Sequence, residues 1–177
     1  TEIPRSAIQK AMTASHSMDK LIETTCDGEF IVSRPEVDHC ERYSLAVYKS
    51  LYLEQGKILP TADDAEAFTV DPTHRIQKLN IHYTNTQDRD AVIAALEGED
   101  VNVVLCEKAS IEITHASVTK GTGLLALAAQ LGIPAEQTIA VGDADNDLPM
   151  LRDAGLGGAM GNANENARAA AAAIVAD

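Results

Sequence analysis

The stretch "AVGDADNDLPML", residues 140–151, places three aspartates at alternate positions directly after a short apolar run. Two kinds of metal site compete to explain this charge: a calcium loop, and a magnesium site at the end of a parallel sheet. An EF-hand calcium loop requires Gly at its sixth position and Glu at its twelfth. Counted from Asp143, these positions hold Leu148 and Ala154. The calcium interpretation is therefore excluded.

The magnesium interpretation depends on the place of Asp143 in the chain. It follows the residues "TIAV" (138–141) and Gly142, a glycine that lets the backbone turn tightly. In an open α/β sheet, ligands bind beyond the carboxyl ends of the strands, and Mg²⁺ prefers one or two carboxylates together with water and phosphate oxygens. A purely structural alternative stays open, because Asp145 and Asn146 would also cap the helix that follows.

A second candidate residue is Lys120, within "SVTKGTG" (117–123). The pattern places this lysine in the first turn of a helix, where the positive end of the helix dipole disfavours another cation. An anion bound in front of the helix would explain the placement, since it would be held by the charge and by free N–H groups. The alternative is an ordinary solvated lysine. A P-loop is excluded because Lys120 precedes Gly121, whereas the Walker pattern needs Gly before Lys.

The residue pattern changes near position 117 and predicts two regions. Residues 1–116 mix helices, including one over 36–54, with antiparallel strands, which favours an α+β layer. The strands expected there read KLIETT, EFIVS, IQKLNIHY, VNVVLCE and SIEITHA. Residues 117–177 alternate strands and helices with short connections, which predicts a parallel sheet with crossover helices. The segment "NENARAAAAAIVAD" (164–177) predicts a last helix that runs into a strand, and its alanine run 169–173 favours helix by intrinsic propensity.

Composition limits the classes of partner. The chain has 27 acidic residues against 14 Lys and Arg, a formal charge of −13, which argues against nucleic acid and anionic membranes as partners. No apolar run approaches the roughly 18 residues of a membrane span. Cys26, Cys40 and Cys106 are odd in number and form no CxxC pair, so we expect free thiols in the cytoplasm.

Two long stretches together carry a family resemblance: "EITHASVTKGTGLLALAAQLGI" (112–133) and "AVGDADNDLPMLRDAGLGGAMGNA" (140–163). They resemble the third and fourth motifs of the haloacid dehalogenase (HAD) superfamily, specifically its Cof-type phosphatases with a large inserted cap. The resemblance implies an α/β fold in which 117–177 form part of a parallel-sheet, Rossmann-like HAD core and 1–116 form a larger α+β cap domain.

The same resemblance implies a Mg²⁺-dependent phosphomonoesterase that works through an aspartyl-phosphate. Its substrate would be a small phosphorylated metabolite, such as a sugar phosphate. Matched residue by residue, Asp143 corresponds to the metal-binding aspartate and Asn146 to a residue that contacts the phosphate. Lys120 corresponds to the lysine that steadies both the nucleophile and the phosphoryl group, and Asp147 to a supporting acid that holds the loop or this lysine.

One family motif is missing. The DxDG[TS] sequence that carries the nucleophile and the general acid occurs nowhere in the chain. We therefore expect a C-terminal part of such an enzyme, inactive alone and lacking an N-terminal segment on the order of 80 to 100 residues. An open sheet edge would then favour self-association or a complementing N-terminal fragment. The alternative function is a non-catalytic phosphate-binding or regulatory module.

Overall fold

The computed structural model describes residues 1–176, so that the final residue of the chain lies outside the described part. The chain divides into two compact units, Thr1–Ala116 and Ser117–Asp177, and each has a sheet and a core of its own. Within the described residues, no helix is both long and apolar enough to cross a membrane.

The N-terminal unit contains five helices and six strands. In chain order these are α1 (Arg5–Ser15), β1 (Lys20–Cys26), β2 (Glu29–Ser33), α2 (Arg34–Asp38), α3 (Lys49–Gln55), β3 (Lys57–Leu59), α4 (Ala62–Val70), β4 (Ile76–Tyr83), α5 (Thr86–Ala95), β5 (Val101–Cys106) and β6 (Ser110–His115). The five strands expected from the sequence are confirmed, and β3 is an addition that the sequence analysis did not predict.

The six strands form one sheet in the order β3-β2-β1-β4-β6-β5. Strands β1 and β2 form a hairpin closed by Asp27 and Gly28, which both take positive φ (51° and 87°). Neighbouring strands are antiparallel, as expected, except that β3 pairs parallel with β2. A parallel neighbour needs a crossover connection, and the segment between β2 and β3 that holds α2 and α3 supplies it.

The larger core of this unit lies between the sheet and the helices α1, α4 and α5. Alternate residues of β4, Leu79, Ile81 and Tyr83, are fully buried there, as the period of two in a strand requires. A hydrogen bond of 2.7 Å between Thr24 Oγ1 and Thr69 Oγ1 joins β1 to α4 inside the same core. The helices therefore cover one face of the sheet.

The opposite face has a smaller core, and here the expected helix over 36–54 is wrong. The segment instead forms α2, two 3₁₀ turns (Cys40–Tyr43 and Ala46–Tyr48) and α3. Ser44 takes a left-handed φ of 65°, which stops the first turn. Packing decides the outcome: Tyr43 and Leu45 are both buried against the sheet, two positions apart, and one continuous helix would point them to different sides.

The remainder of this second face is polar. Glu23, Asn80 and Glu112 lie side by side across β1, β4 and β6. Next to them His82 is buried, with its Nδ1 2.7 Å from Ser110 Oγ. Burial lowers the pKa of His82 to about 4, so its imidazole is neutral at neutral pH.

The C-terminal unit is built from strand–helix repeats. Its elements are α6 (Lys120–Gln130), β7 (Ile139–Gly142), α7 (Leu148–Asp153), β8 (Leu156–Ala159), α8 (Glu165–Ala170) and β9 (Ala173–Ile174). The three strands pair in the order β7-β8-β9 and all run parallel. The predicted α/β fold class, with a parallel sheet after residue 117, is confirmed.

The helix favoured by the alanine run 169–173 is wrong over its second half. Helix α8 ends at Ala170, Ala171 is extended (ψ 148°), and Ala173 pairs with Gly158 as part of β9. Pairing with β8 satisfies the backbone groups of this segment, which outweighs a helix propensity of a few tenths of a kcal/mol per residue.

Small side chains dominate the core of the C-terminal unit. Its buried members are Leu151, Ala159, Ala163 and Ala167. Many larger apolar side chains of the unit are exposed instead, including Ile139 (68%) and Val141 (47%) on β7. The others are Leu127, Leu131, Ile133, Leu156, Ile174 and Val175. The described residues of this unit therefore leave much of their apolar surface uncovered.

Candidate active site

Asp147 is the centre of the candidate site. It ends a 3₁₀ turn, Asp145–Asp147, that follows the carboxyl end of β7, and its side chain is 3% exposed. One carboxylate oxygen, Oδ2, accepts hydrogen bonds from the backbone N–H groups of Asp143 (2.8 Å) and Ala144 (3.1 Å). The carboxylate therefore fixes the conformation of the loop that carries Asp143.

The other oxygen of Asp147 meets the lysine singled out from the sequence. Lys120 Nζ lies 2.5 Å from Asp147 Oδ1, so the expected ion pair between the two motifs is present. Lys120 is the first residue of α6. Thr119 caps this helix: its Oγ1 accepts from Thr122 N (3.0 Å), and Thr122 Oγ1 accepts from Thr119 N (2.9 Å). With its side chain half exposed, Lys120 can still reach a bound anion.

The charge of Asp147 is maintained by these contacts. Burial by itself would raise the pKa of this carboxyl, but the hydrogen bonds from Lys120 and from the backbone N–H groups of Asp143 and Ala144 outweigh it. The net result is a lowered pKa, so that Asp147 is ionised and Lys120 is held as its counter-ion at neutral pH.

Asp143 is the residue expected to bind metal. It directly follows β7 and is exposed, and Lys120 pairs with Asp147 rather than with it. One exposed carboxylate at a sheet edge suits Mg²⁺, which takes few protein ligands and fills its shell with water and phosphate oxygens. Within residues 1–176 there is no cluster of three or more His, Cys, Asp or Glu side chains that could hold a metal ion. The binding of a metal ion by Asp143 remains a prediction.

Asn146, the expected phosphate contact, occupies the middle of the Asp145–Asp147 turn and is partly buried. Its side chain takes no part in the hydrogen bonds that join Lys120, Asp147 and the loop. The structure therefore places Asn146 beside these residues in the same turn without linking it to them. Its contact with phosphate remains a prediction.

The sequence reasoning missed a role for Asp145. Its Oδ1 accepts hydrogen bonds of 3.0 Å from the side-chain amides of Asn164 and Asn166, and the backbone N–H of Asn164 donates to Asp143 O (2.9 Å). These bonds tie the segment after β8 to the loop after β7. The asparagines in "GNANEN" (161–166) were the available signal, because amides suit an acceptor of this kind.

Gly142 is required by the close approach of Asp147. A Cβ at Gly142 would lie 2.6 Å from Asp147 Cγ, and the aspartate cannot retreat because both of its oxygens are held. We expect Gly142→Ala to lower the free energy of unfolding by about 2 kcal/mol in chemical denaturation.

Gly123→Ala is the matched control for this change. No heavy atom lies within 4 Å of the added Cβ, and the position is inside α6, so the variant should be stabilised by up to about 1 kcal/mol. Equal stabilities for the two variants would contradict the packing described at Gly142.

These contacts define a parallel α/β unit with a charged site at the carboxyl edge of its sheet. Comparison with known families assigns the class: the chain belongs to the haloacid dehalogenase-like hydrolases, whose family profile matches residues 1–177. The resemblance noted from the two motifs is thereby confirmed, and the chain is part of a hydrolase family.

Individual relatives include phosphatases. The chain is 45% identical to phosphatase YwpJ of Bacillus subtilis over 76 residues, covering 43% of this chain and 27% of that protein. It is 38% identical to a phosphoglycolate phosphatase of Methanothrix thermoacetophila over 85 residues, covering 48% and 38%. A crystal structure of a haloacid dehalogenase-like hydrolase from Bacteroides thetaiotaomicron matches 99% of this chain and 62% of its own, with 25% identity and a TM-score of 0.71. The chain spans less than two thirds of each of these proteins.

Proposed function

We propose that this chain is part of a Mg²⁺-dependent phosphatase that hydrolyses the phosphomonoester of a small metabolite, such as a sugar phosphate. The family and its phosphatase members support the reaction class. The observation that carries the proposal is the ion pair between Lys120 and Asp147. Asp147 also accepts a hydrogen bond from the backbone of Asp143, so one residue positions both the lysine and the loop with the exposed Asp143 carboxylate, at the carboxyl edge of a parallel sheet.

The chemistry follows from where the charges lie. Lys120 would bind an oxygen of the transferring phosphoryl group and stabilise the charge that it carries in the transition state. Asp147 would keep Lys120 charged and oriented, and Asn146 would donate its amide to a second phosphate oxygen. Asp143 would hold Mg²⁺, which when bound neutralises phosphoryl charge. The same ion would offset the strongly negative net charge of the chain near an anionic substrate.

A nucleophile is the missing component. Both oxygens of Asp147 are engaged, and Asp145 is held by Asn164 and Asn166, so neither carboxylate is placed to attack phosphorus. We propose that an N-terminal segment with the DxDG[TS] motif supplies it, and that residues 1–116 act as the cap. The exposed apolar side chains of β7 support pairing with such a segment or self-association.

The cysteines and the acidic composition support a proposal for the cellular compartment. Cys26, Cys40 and Cys106 are free thiols, and burial raises the pKa of Cys40 and of Cys106, the latter to about 11. Thiols of this kind are poorly reactive and stable under reducing conditions. A cytoplasmic protein without nucleic-acid or membrane partners is what these thiols and the acidic composition favour.

Lys120→Ala tests the proposal in the protein that carries the nucleophile segment. We expect kcat for a phosphomonoester to fall by about 100-fold or more, because the variant has no lysine to stabilise the negative charge of the phosphoryl group in the transition state. The free energy of unfolding should fall by only about 1 kcal/mol, since Asp147 keeps both backbone donors.

Arg152→Ala removes an exposed cation from the same unit and serves as the control. Its kcat should stay within about twofold of the unmodified enzyme, as expected for a surface charge away from the site. A loss of rate in Lys120→Ala no greater than in Arg152→Ala would overturn the assignment of Lys120.

A further inference from the structure

Asp145, the second of the three alternate aspartates after β7, is bound to a segment distant in the chain. Its Oδ1 accepts hydrogen bonds of 3.0 Å from Asn164 Nδ2 and from Asn166 Nδ2, which lie 19 and 21 residues further along. We call these three residues the amide clamp. One carboxylate oxygen shared by two amide donors makes a directed contact between the turn after β7 and the start of α8.

The side-chain amide of Asn164 is held at both of its ends. Its Oδ1 accepts from Ala167 N (2.8 Å) at the start of α8, and its Nδ2 donates to Asp145. Because the side chain is held in this way, the position of the Asn164 backbone is restricted as well. The backbone N–H of Asn164 donates to Asp143 O (2.9 Å). The amide clamp therefore reaches the backbone of Asp143.

The backbone of Asp143 is held from two sides. Its N–H donates to Asp147 Oδ2 (2.8 Å), and its C=O accepts from Asn164 N (2.9 Å). These two groups belong to the two peptide planes that flank the Asp143 Cα, and fixing both planes fixes the direction of the Cα–Cβ bond. Asp147 holds one plane and the amide clamp holds the other. The direction in which the exposed Asp143 carboxylate leaves the backbone depends on both.

We propose that Asp145 is a positioning residue that acts through Asn164 and sets the direction of the Asp143 carboxylate at the edge of the sheet. The role of that carboxylate rests on the proposed function, whereas the clamp rests on the hydrogen bonds alone. Turnover is sensitive to such a direction, because a displacement of about 1 Å can cost on the order of 100-fold in rate. Folding is less sensitive, since hydrogen bonds between exposed groups replace hydrogen bonds to water.

Amide hydrogen exchange of the 177-residue chain, without metal, tests the clamp directly. In Asp145→Ala, the Asn164 N–H should exchange about tenfold faster than in the unmodified chain, because the Asn164 side chain loses one of its two contacts. Asp145→Asn keeps an acceptor oxygen and should restore most of the protection.

Glu136→Ala is the control for the exchange measurement. It removes an exposed acid that precedes β7 and should leave the exchange rate of the Asn164 N–H within about twofold of the unmodified value. Unchanged exchange in Asp145→Ala, or an equal change in Glu136→Ala, would overturn the proposal.

Turnover in the protein that carries the nucleophile segment tests what the clamp does. Asp145→Ala should lower kcat by about tenfold and raise the Mg²⁺ concentration for half-saturation, while KM for the phosphomonoester changes by less than about twofold. A merely structural role would lower the thermal midpoint and leave the kcat of the folded protein unchanged. Glu136→Ala should leave kcat and the Mg²⁺ requirement within about twofold.

Asn166→Ala acts on the clamp from its other end. It removes one amide donor from α8, and alanine is the better helix former, so kcat should fall by about threefold without a lower thermal midpoint. Faster exchange at Asn164 with unchanged kcat in Asp145→Ala would show a clamp that positions nothing and would overturn the proposal. Absence of turnover in the unmodified protein would refute the proposed function, and exchange at Asn164 would still decide whether the clamp holds Asp143.

Discussion

The purified 177-residue chain is expected to hydrolyse a generic phosphomonoester no faster than buffer does, with or without Mg²⁺. Phosphoryl transfer through a covalent intermediate needs a nucleophile held in line with phosphorus, and positioning supplies much of the acceleration. Lys120 and Asn146 can attract a phosphate directly, and Asp143 could do so only through a bound Mg²⁺, but none of them is a candidate to attack phosphorus. The carboxylates of Asp145 and Asp147 are already held by amides, backbone N–H groups and a lysine.

Adding the proposed N-terminal segment should produce turnover. We expect an N-terminal segment with the DxDG[TS] motif, added in trans or joined in cis, to raise the rate by at least about 1000-fold with Mg²⁺ present. The control is the same segment with its first motif aspartate changed to asparagine, which can assemble with the chain but supplies no nucleophile.

Two results would contradict this expectation. Robust Mg²⁺-dependent turnover by the chain alone, with its mass confirmed intact, would show that a nucleophile lies among residues 1–177. Tight phosphate binding without turnover, even after the segment is restored, would favour the non-catalytic phosphate-binding module instead.

Asp143→Asn should have the second large effect. The substitution keeps the size of the side chain and the backbone N–H that donates to Asp147, so the loop conformation should survive. It removes the charge that would attract Mg²⁺. In the protein with its nucleophile segment, we expect turnover to fall by roughly 100-fold or more and half-saturation to need more Mg²⁺.

A second measurement separates metal binding from catalysis. Mg²⁺ should raise the thermal midpoint of the unmodified protein and should raise that of Asp143→Asn less, because a ligand that binds only the folded state stabilises it. Glu136→Gln removes the same charge at an exposed residue that precedes β7 and is the control. Normal Mg²⁺ dependence in Asp143→Asn would show that another residue binds the metal.

The sequence predicted the parts of the fold that depend on residues close together in the chain. Strand β4 coincides with "IQKLNIHY" because one of its faces packs on helices and the other carries polar side chains, which imposes alternation from Leu79 to Tyr83. The meeting of Lys120 and Asp147 was anticipated from the family resemblance, which matched Asp147 to an acid that holds the loop or this lysine. A lysine at a helix start also favours a nearby negative charge.

The parts that could not be predicted depend on contacts distant in sequence. The segment 36–54 has enough apolar residues for a helix, but the second face of the sheet selects which of them are buried and breaks it at Ser44. The alanines after Ala170 become extended because β8 offers a free edge. Asp145 was interpreted as a helix cap, because the asparagines that its side chain meets, Asn164 and Asn166, lie 19 and 21 residues away along the chain.

The small-residue core of the C-terminal unit has a consequence for how the protein can evolve by substitution. A unit of about 60 residues whose buried side chains are mainly alanines has little stability in reserve. Most substitutions cost stability, and a protein close to its threshold tolerates few of them. Asp147 and Gly142 also hold the loop together. Diversification of such a protein is therefore expected to proceed through the N-terminal unit, whose broad sheet and two separate cores provide the greater mutational robustness.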